Sequence, residues 1–103
     1  MILTTTENIN GKVLEHLGLV QGNVVQTKSL GKDFKALGRT IVGGEIRDYT
    51  TLLKDARTTA TERMVEEAKN MGADAIITVR YATSSIMDSA SEVMAYGTAV
   101  KFL

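Results

Sequence analysis

Arg80 stands in an otherwise apolar run, Ile76-Ile77-Thr78-Val79-Arg80-Tyr81. A guanidinium among strand residues needs acceptors or a counter-charge, because burying it unpaired is costly. Glu92, in the following extended segment, is the partner the sequence offers. An ion pair within or between subunits is the structural account, and anion binding is the chemical one. Arg57 and Arg63 lie on a helical stretch with Glu62, Glu66, Glu67 and Lys69, where a solvated face explains them most simply. Arg57, which adjoins the apolar stripe at Ala56, could also serve as an anion clamp or an interface ion pair. Gly43-Gly44-Glu45 opens that helix, and free N–H groups at a helix start attract anions. The pair lacks the G-x-G-x-x-G or G-K-S/T pattern of a phosphate loop, so a plain chain break explains it more simply. Tyr49, Tyr81 and Tyr96 are candidates to line a pocket, with core or interface packing the default for such rings. His16 is the single histidine. It could titrate or hold a metal, but a lone imidazole is more often a surface hydrogen-bonding group. No serine–histidine–acid arrangement is present, so no catalytic residue is assigned. Cysteine is absent, which removes thiolate nucleophiles, disulfides and Cys-based zinc sites together. No metal ligand is assigned and no cofactor is implied.

The elements that must position these residues follow from the patterning. Ile2 to Thr5 reads as a short strand, and Asn8-Ile9-Asn10-Gly11 as a turn. Lys12 to Lys28 is extended, with Gly18 and Gly22 marking bends or bulges. Asp33 to Ile41 has the spacing of a short helix through Phe34, Leu37 and Ile41. Glu45 to Met71 carries the strongest helical pattern. Ile46, Tyr49, Leu53, Ala56, Ala60, Met64, Ala68 and Met71 advance by threes and fours, which keeps them on one face. Gly72 is placed to stop the helix, because the position after a helix usually needs positive φ. A strand from Ala75, a polar turn and a last strand from Glu92 complete a small α+β domain.

Bulk properties narrow the function. A chain of 103 residues is expected to form a single domain over 1–103. At 44% hydrophobic it has too much apolar content for disorder. Twelve basic residues balance twelve acidic ones, so no net field draws the chain to nucleic acid or anionic lipid. No apolar run approaches the ~20 residues that span a bilayer. The start has neither a basic segment nor a long apolar core, so no signal peptide is expected. Together with the missing cysteine, this points to a cytoplasmic protein.

Ala95, Gly97 and Ala99 alternate along the last strand, and Ala56 and Ala60 are the small residues of the helical stripe. Two small surfaces let a helix approach a sheet closely, so the helix is expected to cross at Gly97. The other strand face carries Met94, Tyr96, Val100 and Phe102. One helix covers one face, which leaves the second without a cover inside the chain. An exposed apolar patch of that kind marks an interface, and homo-oligomerisation is the expectation.

Several motifs carry a family resemblance. They are Gly43-Gly44-Glu45, Tyr49, Arg57 and Ala60, then Gly72-Ala73-Asp74-Ala75, Val79-Arg80-Tyr81 and Ala95-Tyr96-Gly97-Thr98-Ala99-Val100. In that order they resemble the YbjQ or UPF0145 family, sometimes labelled heavy-metal-binding. The resemblance covers essentially the whole chain. It implies a two-layer, dodecin-like subunit, with a long helix on a small, mainly antiparallel sheet. It also implies assembly into closed rings, reported as pentamers. Met1 to Thr6 would then add an edge strand to the next subunit's sheet.

The leading reading is a non-enzymatic cytoplasmic homo-oligomer that binds a small ligand or ion at subunit interfaces. Its candidate ligand or interface residues are Gly43, Gly44, Glu45, Tyr49, Arg57, Arg80, Glu92, Tyr96, Gly97 and Thr98. One alternative is metal homeostasis. It conflicts with a chain offering no thiolate and one imidazole, since soft metals prefer those ligands. The other is an enzyme with an intersubunit pocket around Tyr49, Arg57, Arg80 and Tyr96.

Overall fold

The computed structural model describes residues 1–27, 41–42, 45–88 and 90–103, without the side chains of 41–49. In chain order the elements are β1 (Ile2–Leu3), β2 (Leu14–Thr27), β3 (Ile41–Val42), β4 (Glu45–Ile46), α1 (Arg47–Asn70), β5 (Ala75–Met87) and β6 (Ala90–Phe102). Helix α1 forms where the four-residue spacing predicts. Ala56, Ala60, Met64 and Ala68 make one fully buried stripe. Gly72 ends it with φ +79°. Its N–H donates to the Lys69 carbonyl at 3.0 Å, and that of Ala73 to the Ala68 carbonyl at 3.0 Å. This pair satisfies carbonyls that the helix end would otherwise leave open.

The start of the long helix differs from expectation. Glu45 and Ile46 pair with β3 as a separate two-stranded ladder, so the helix begins at Arg47. Most of the short helix expected from Asp33 lies outside the described residues. Its last residue, Ile41, is in β3.

The main sheet has the order β1-β5-β6-β2, with β1 parallel to β5 and the other pairs antiparallel. β1 lies on its own chain's β5, whereas the resemblance put this segment on a neighbour's sheet. The expected polar turn before Glu92 is mostly ladder. β5 and β6 stay paired from Ala75↔Val100 to Met87↔Ala90, because serine and threonine sit readily on a solvent-facing strand pair.

Three register shifts interrupt the sheet. One falls between His16 and Gly18 on β2, a second between Ile77 and Arg80 and a third between Ser85 and Met87 on β5. Gly22 makes no bend, and the register runs on through Gly22↔Ala95. At the second shift Thr78 has φ +51°. The extra residue reverses the side-chain alternation. Ile76 and Val79 therefore share the helix side, and the expected grouping of Arg80 with Ile76 and Thr78 is broken.

The helix side of the sheet packs Val20, Ile76, Val79, Val93, Ala95 and Ala99 against the α1 stripe. On the opposite side Ala75, Ile77 and Val100 are buried with Ile9, Leu14 and Phe102. The N-terminal turn, held by the Lys12 N–H on the Ile9 carbonyl at 3.1 Å, thus covers one end of the face expected to be bare. The helix crossing is also displaced. Beneath α1 lies Gly22, where a Cβ would overlap the Ala60 carbonyl and the Met64 amide. A Cβ on Gly97 would instead meet the Ile76 and Val79 side chains and the Ile77 carbonyl of β5. The result is a slab of 55 × 26 × 16 Å.

Candidate functional site

Alternate residues of a strand share a face. Glu92, Tyr96 and Thr98 of β6 therefore face away from α1, on the side of the buried Val100. Arg80 lies directly across from Tyr96. The structure thus brings four candidates onto one face, with Tyr96 half-buried at its middle and Arg80 exposed. It does not join Arg80 to Glu92. An Arg80 Nη1 donates to the Thr5 carbonyl at 3.1 Å and to the Val79 carbonyl at 2.9 Å. Glu92 Oε2 accepts from Asn23 Nδ2 at 3.2 Å. The reason is register: Glu92 is opposite Ser84, four residues or about 13 Å along the strand from the position facing Arg80.

Arg57 belongs to a different place. It lines a groove of about 660 Å³ between α1, β1 and β5, with Leu3, Thr61, Val65, Lys69 and Tyr81. Thr61 and Tyr81 hydroxyls lie 2.9 Å apart, and Thr61 Oγ1 also donates to the Arg57 carbonyl at 2.7 Å. Within one chain the two arginines lie on opposite sides of the sheet. The arrangement around Tyr49, Arg57, Arg80 and Tyr96 is therefore not formed by a single subunit. Gly97 is buried on the helix side of β6. Glu45 is in β4 and Tyr49 in the first turn of α1, and their side chains lie outside the description. Gly43 and Gly44 lie outside the described residues.

His16 lines a second cavity, of about 540 Å³, on the face away from α1. Its other walls include Glu7, Lys12, Leu14, Thr78 and Thr98. Sequence reasoning passed over Glu7, Lys12 and Thr78, and no local pattern marks Thr78 as left-handed. It also passed over Asp74 as a structural residue. The Asp74 carboxylate accepts the Phe102 N–H at 2.8 Å, and the Asp74 N–H donates to the Val100 carbonyl at 2.8 Å. Those bonds tie the helix exit to the end of β6. The signal was there, an acid just past a helix-stopping glycine.

Among the described residues no group of three or more His, Cys, Asp and Glu comes together to hold a metal. No helix among them is long and apolar enough to cross a membrane.

The family model YbjQ_1, described as "Putative heavy-metal-binding", matches residues 1–103. A UPF0145 protein of Thermosipho africanus is 55% identical over 102 residues, 98% of this chain and 94% of the relative. One from Clostridium novyi is 54% identical over the full length of both chains. One from Dehalococcoides mccartyi is 57% identical over 101 residues, 97% of each. A solved structure from Pediococcus pentosaceus, described as a protein of unknown function in the DUF74 family, superposes with a TM-score of 0.68. It has 18% identity and covers 100% of this chain and 98% of its own. At that identity the match speaks for the fold alone.

Proposed function

The chain belongs to the UPF0145 family, and from that premise we propose that it works as a non-enzymatic cytoplasmic homo-oligomer. Its subunits close into a dodecin-like ring of five through their sheet edges. Small ligands or ions bind at the subunit interfaces. The observation that carries this reading is the pair of long sheet edges. β2, 14 residues long, is the last strand of the sheet. Among the described residues β5 is covered only at its start, by β1 and by hydrogen bonds with the Thr4 and Thr6 backbone. Among the described residues nothing pairs with its Arg80–Met87 edge. Such rows of open N–H and C=O groups template pairing with another chain. They are flanked by exposed apolar side chains, Leu19 at 65% and Met87 at 62% among them. A contact between two different edges is head-to-tail, and head-to-tail contacts close into rings when the rotation allows. The shape agrees: the radius of gyration is 17.0 Å, against about 13 Å for a globular chain of this length. Five is the number carried by the family resemblance.

Metal homeostasis receives less support. The donor set fits a soft metal poorly, with no cysteine, one histidine and no ligand cluster among the described residues.

Native mass spectrometry tests the assembly. The expected species is five times the 11.1 kDa chain. Val25→Lys combined with Ile86→Lys places charge beside both edges, at exposed side chains, and should give folded monomers. A wild-type chain that stays monomeric at micromolar concentration would sink the proposal.

A further inference from the structure

The cavity beneath the N-terminal turn is built by three features that sequence reasoning did not connect. The first is backbone strain. Thr78 is β-branched yet has φ +51°, a conformation such residues avoid. Its neighbours impose it: the Thr78 N–H donates to the Thr6 carbonyl at 3.0 Å and the Val79 N–H to the Thr4 carbonyl at 3.0 Å. Strain of this kind collects at binding sites. The second feature is two of the three register shifts, those at His16/Gly18 and Ile77/Arg80. They fall on β2 and β5, on either side of the same β6 residue. Thr98 pairs with Leu19 just past one shift and with Ile77 just before the other. Bulges re-aim side chains, and here they leave His16, Thr78 and Thr98 lining one cavity.

The third feature is charge. Glu7 and Lys12 also line the cavity, but they do not pair with each other. The Lys12 ammonium sits 4.9 Å over the Phe102 ring, and among the described residues the exposed Glu7 carboxylate shows no hydrogen-bond or ion-pair partner. Opposite charges held apart over an apolar floor suit a molecule that carries both charges itself. At about 540 Å³ the space is that of a small-molecule pocket, roughly 300–1,000 Å³.

We propose that this cavity binds a small zwitterion, an α-amino acid with an apolar side chain. Its carboxylate lies toward Lys12 and His16, its ammonium toward Glu7, and its side chain on Val13 and Leu14. All of these residues belong to one chain, so the site stands or falls separately from ring assembly.

The test is titration of the full chain with L-leucine, followed by calorimetry and by amide chemical shifts. L-leucinamide, which lacks the carboxylate, and 4-methylpentanoate, which lacks the ammonium, are the comparators. Leucine should saturate, with the largest shifts at residues 16, 78 and 98. Each comparator should bind about tenfold more weakly or worse. Glu7→Gln and Lys12→Gln change exposed side chains, and each should weaken leucine about tenfold while melting like wild type. Any of three results overturns the proposal. They are no saturable binding of leucine up to about 10 mM, a singly charged comparator binding as well as leucine, or shifts centred on the Arg57 groove.

Discussion

Replacing Gly22 by alanine puts a methyl group where α1 already runs. The new Cβ would overlap the Ala60 carbonyl oxygen and the Met64 amide nitrogen, and would lie 2.8 Å from the Arg63 Cβ. Two of these are backbone atoms and the third is fixed to backbone, so no rotamer change can clear them. Either the helix lifts or β2 sinks, and each move opens the alanine-lined contact that holds the layers together. Overpacking usually costs about 1–3 kcal/mol, and this geometry belongs at the upper end. Gly22 is not among the residues with positive φ, so the penalty is steric. Alanine also restricts the unfolded chain, which offsets about 0.4–1 kcal/mol. The net is about 2 kcal/mol, or a fall of roughly 8–16 °C in melting temperature for a domain of this size. The assay is thermal melting by circular dichroism at fixed protein concentration. Gly11→Ala is the comparison, since it has φ +76° but no atom within 4 Å. It should cost only the left-handed penalty, about 1–2 kcal/mol at most. Gly22→Ala melting within 2–3 °C of wild type, on the same scale, would show that α1 does not cross there.

Gly97→Val should also destabilise, through Ile76 and Val79 of β5 rather than through the helix. Lys101→Val, exposed and further along the same face, should melt close to wild type. Asp74→Ala should cost about 1 kcal/mol by freeing the Phe102 N–H. Asp74→Asn, which keeps an acceptor oxygen, should recover most of that loss in the same melting assay. Calorimetric titration with zinc, copper or cadmium should reveal no tight site at one per chain, and a submicromolar affinity at that stoichiometry would contradict the argument from ligand chemistry.

The candidate site was legible only in pieces. Tyr96 and Thr98 could be placed on one face of β6 from alternation alone, and the structure keeps them there. Arg80 could not, because its face depends on whether an extra residue is inserted before it. The Thr78 bulge supplies that residue with no glycine or proline to announce it. Glu92 was the nearest acid in the adjoining strand, but ladder register set it opposite Ser84. That register is fixed by the whole β5–β6 hairpin.

What the amino-acid sequence determined by itself was local. The Ala56–Ala60–Met64–Ala68 stripe repeats at the helical period, and Gly72 can take the positive φ that stops it. The β-branched runs fix the flanking strands in the same way. Only the tertiary structure decided which small residue the helix would rest on. Gly22 and Gly97 are both strand glycines, and on neighbouring strands they are separated by two register positions. Helix α1 lies over the strand that brings Gly22 beneath Ala60 and Met64. The space beside Gly97 is filled from within the sheet. That choice is made by packing between segments far apart in the chain, and no window of sequence contains it.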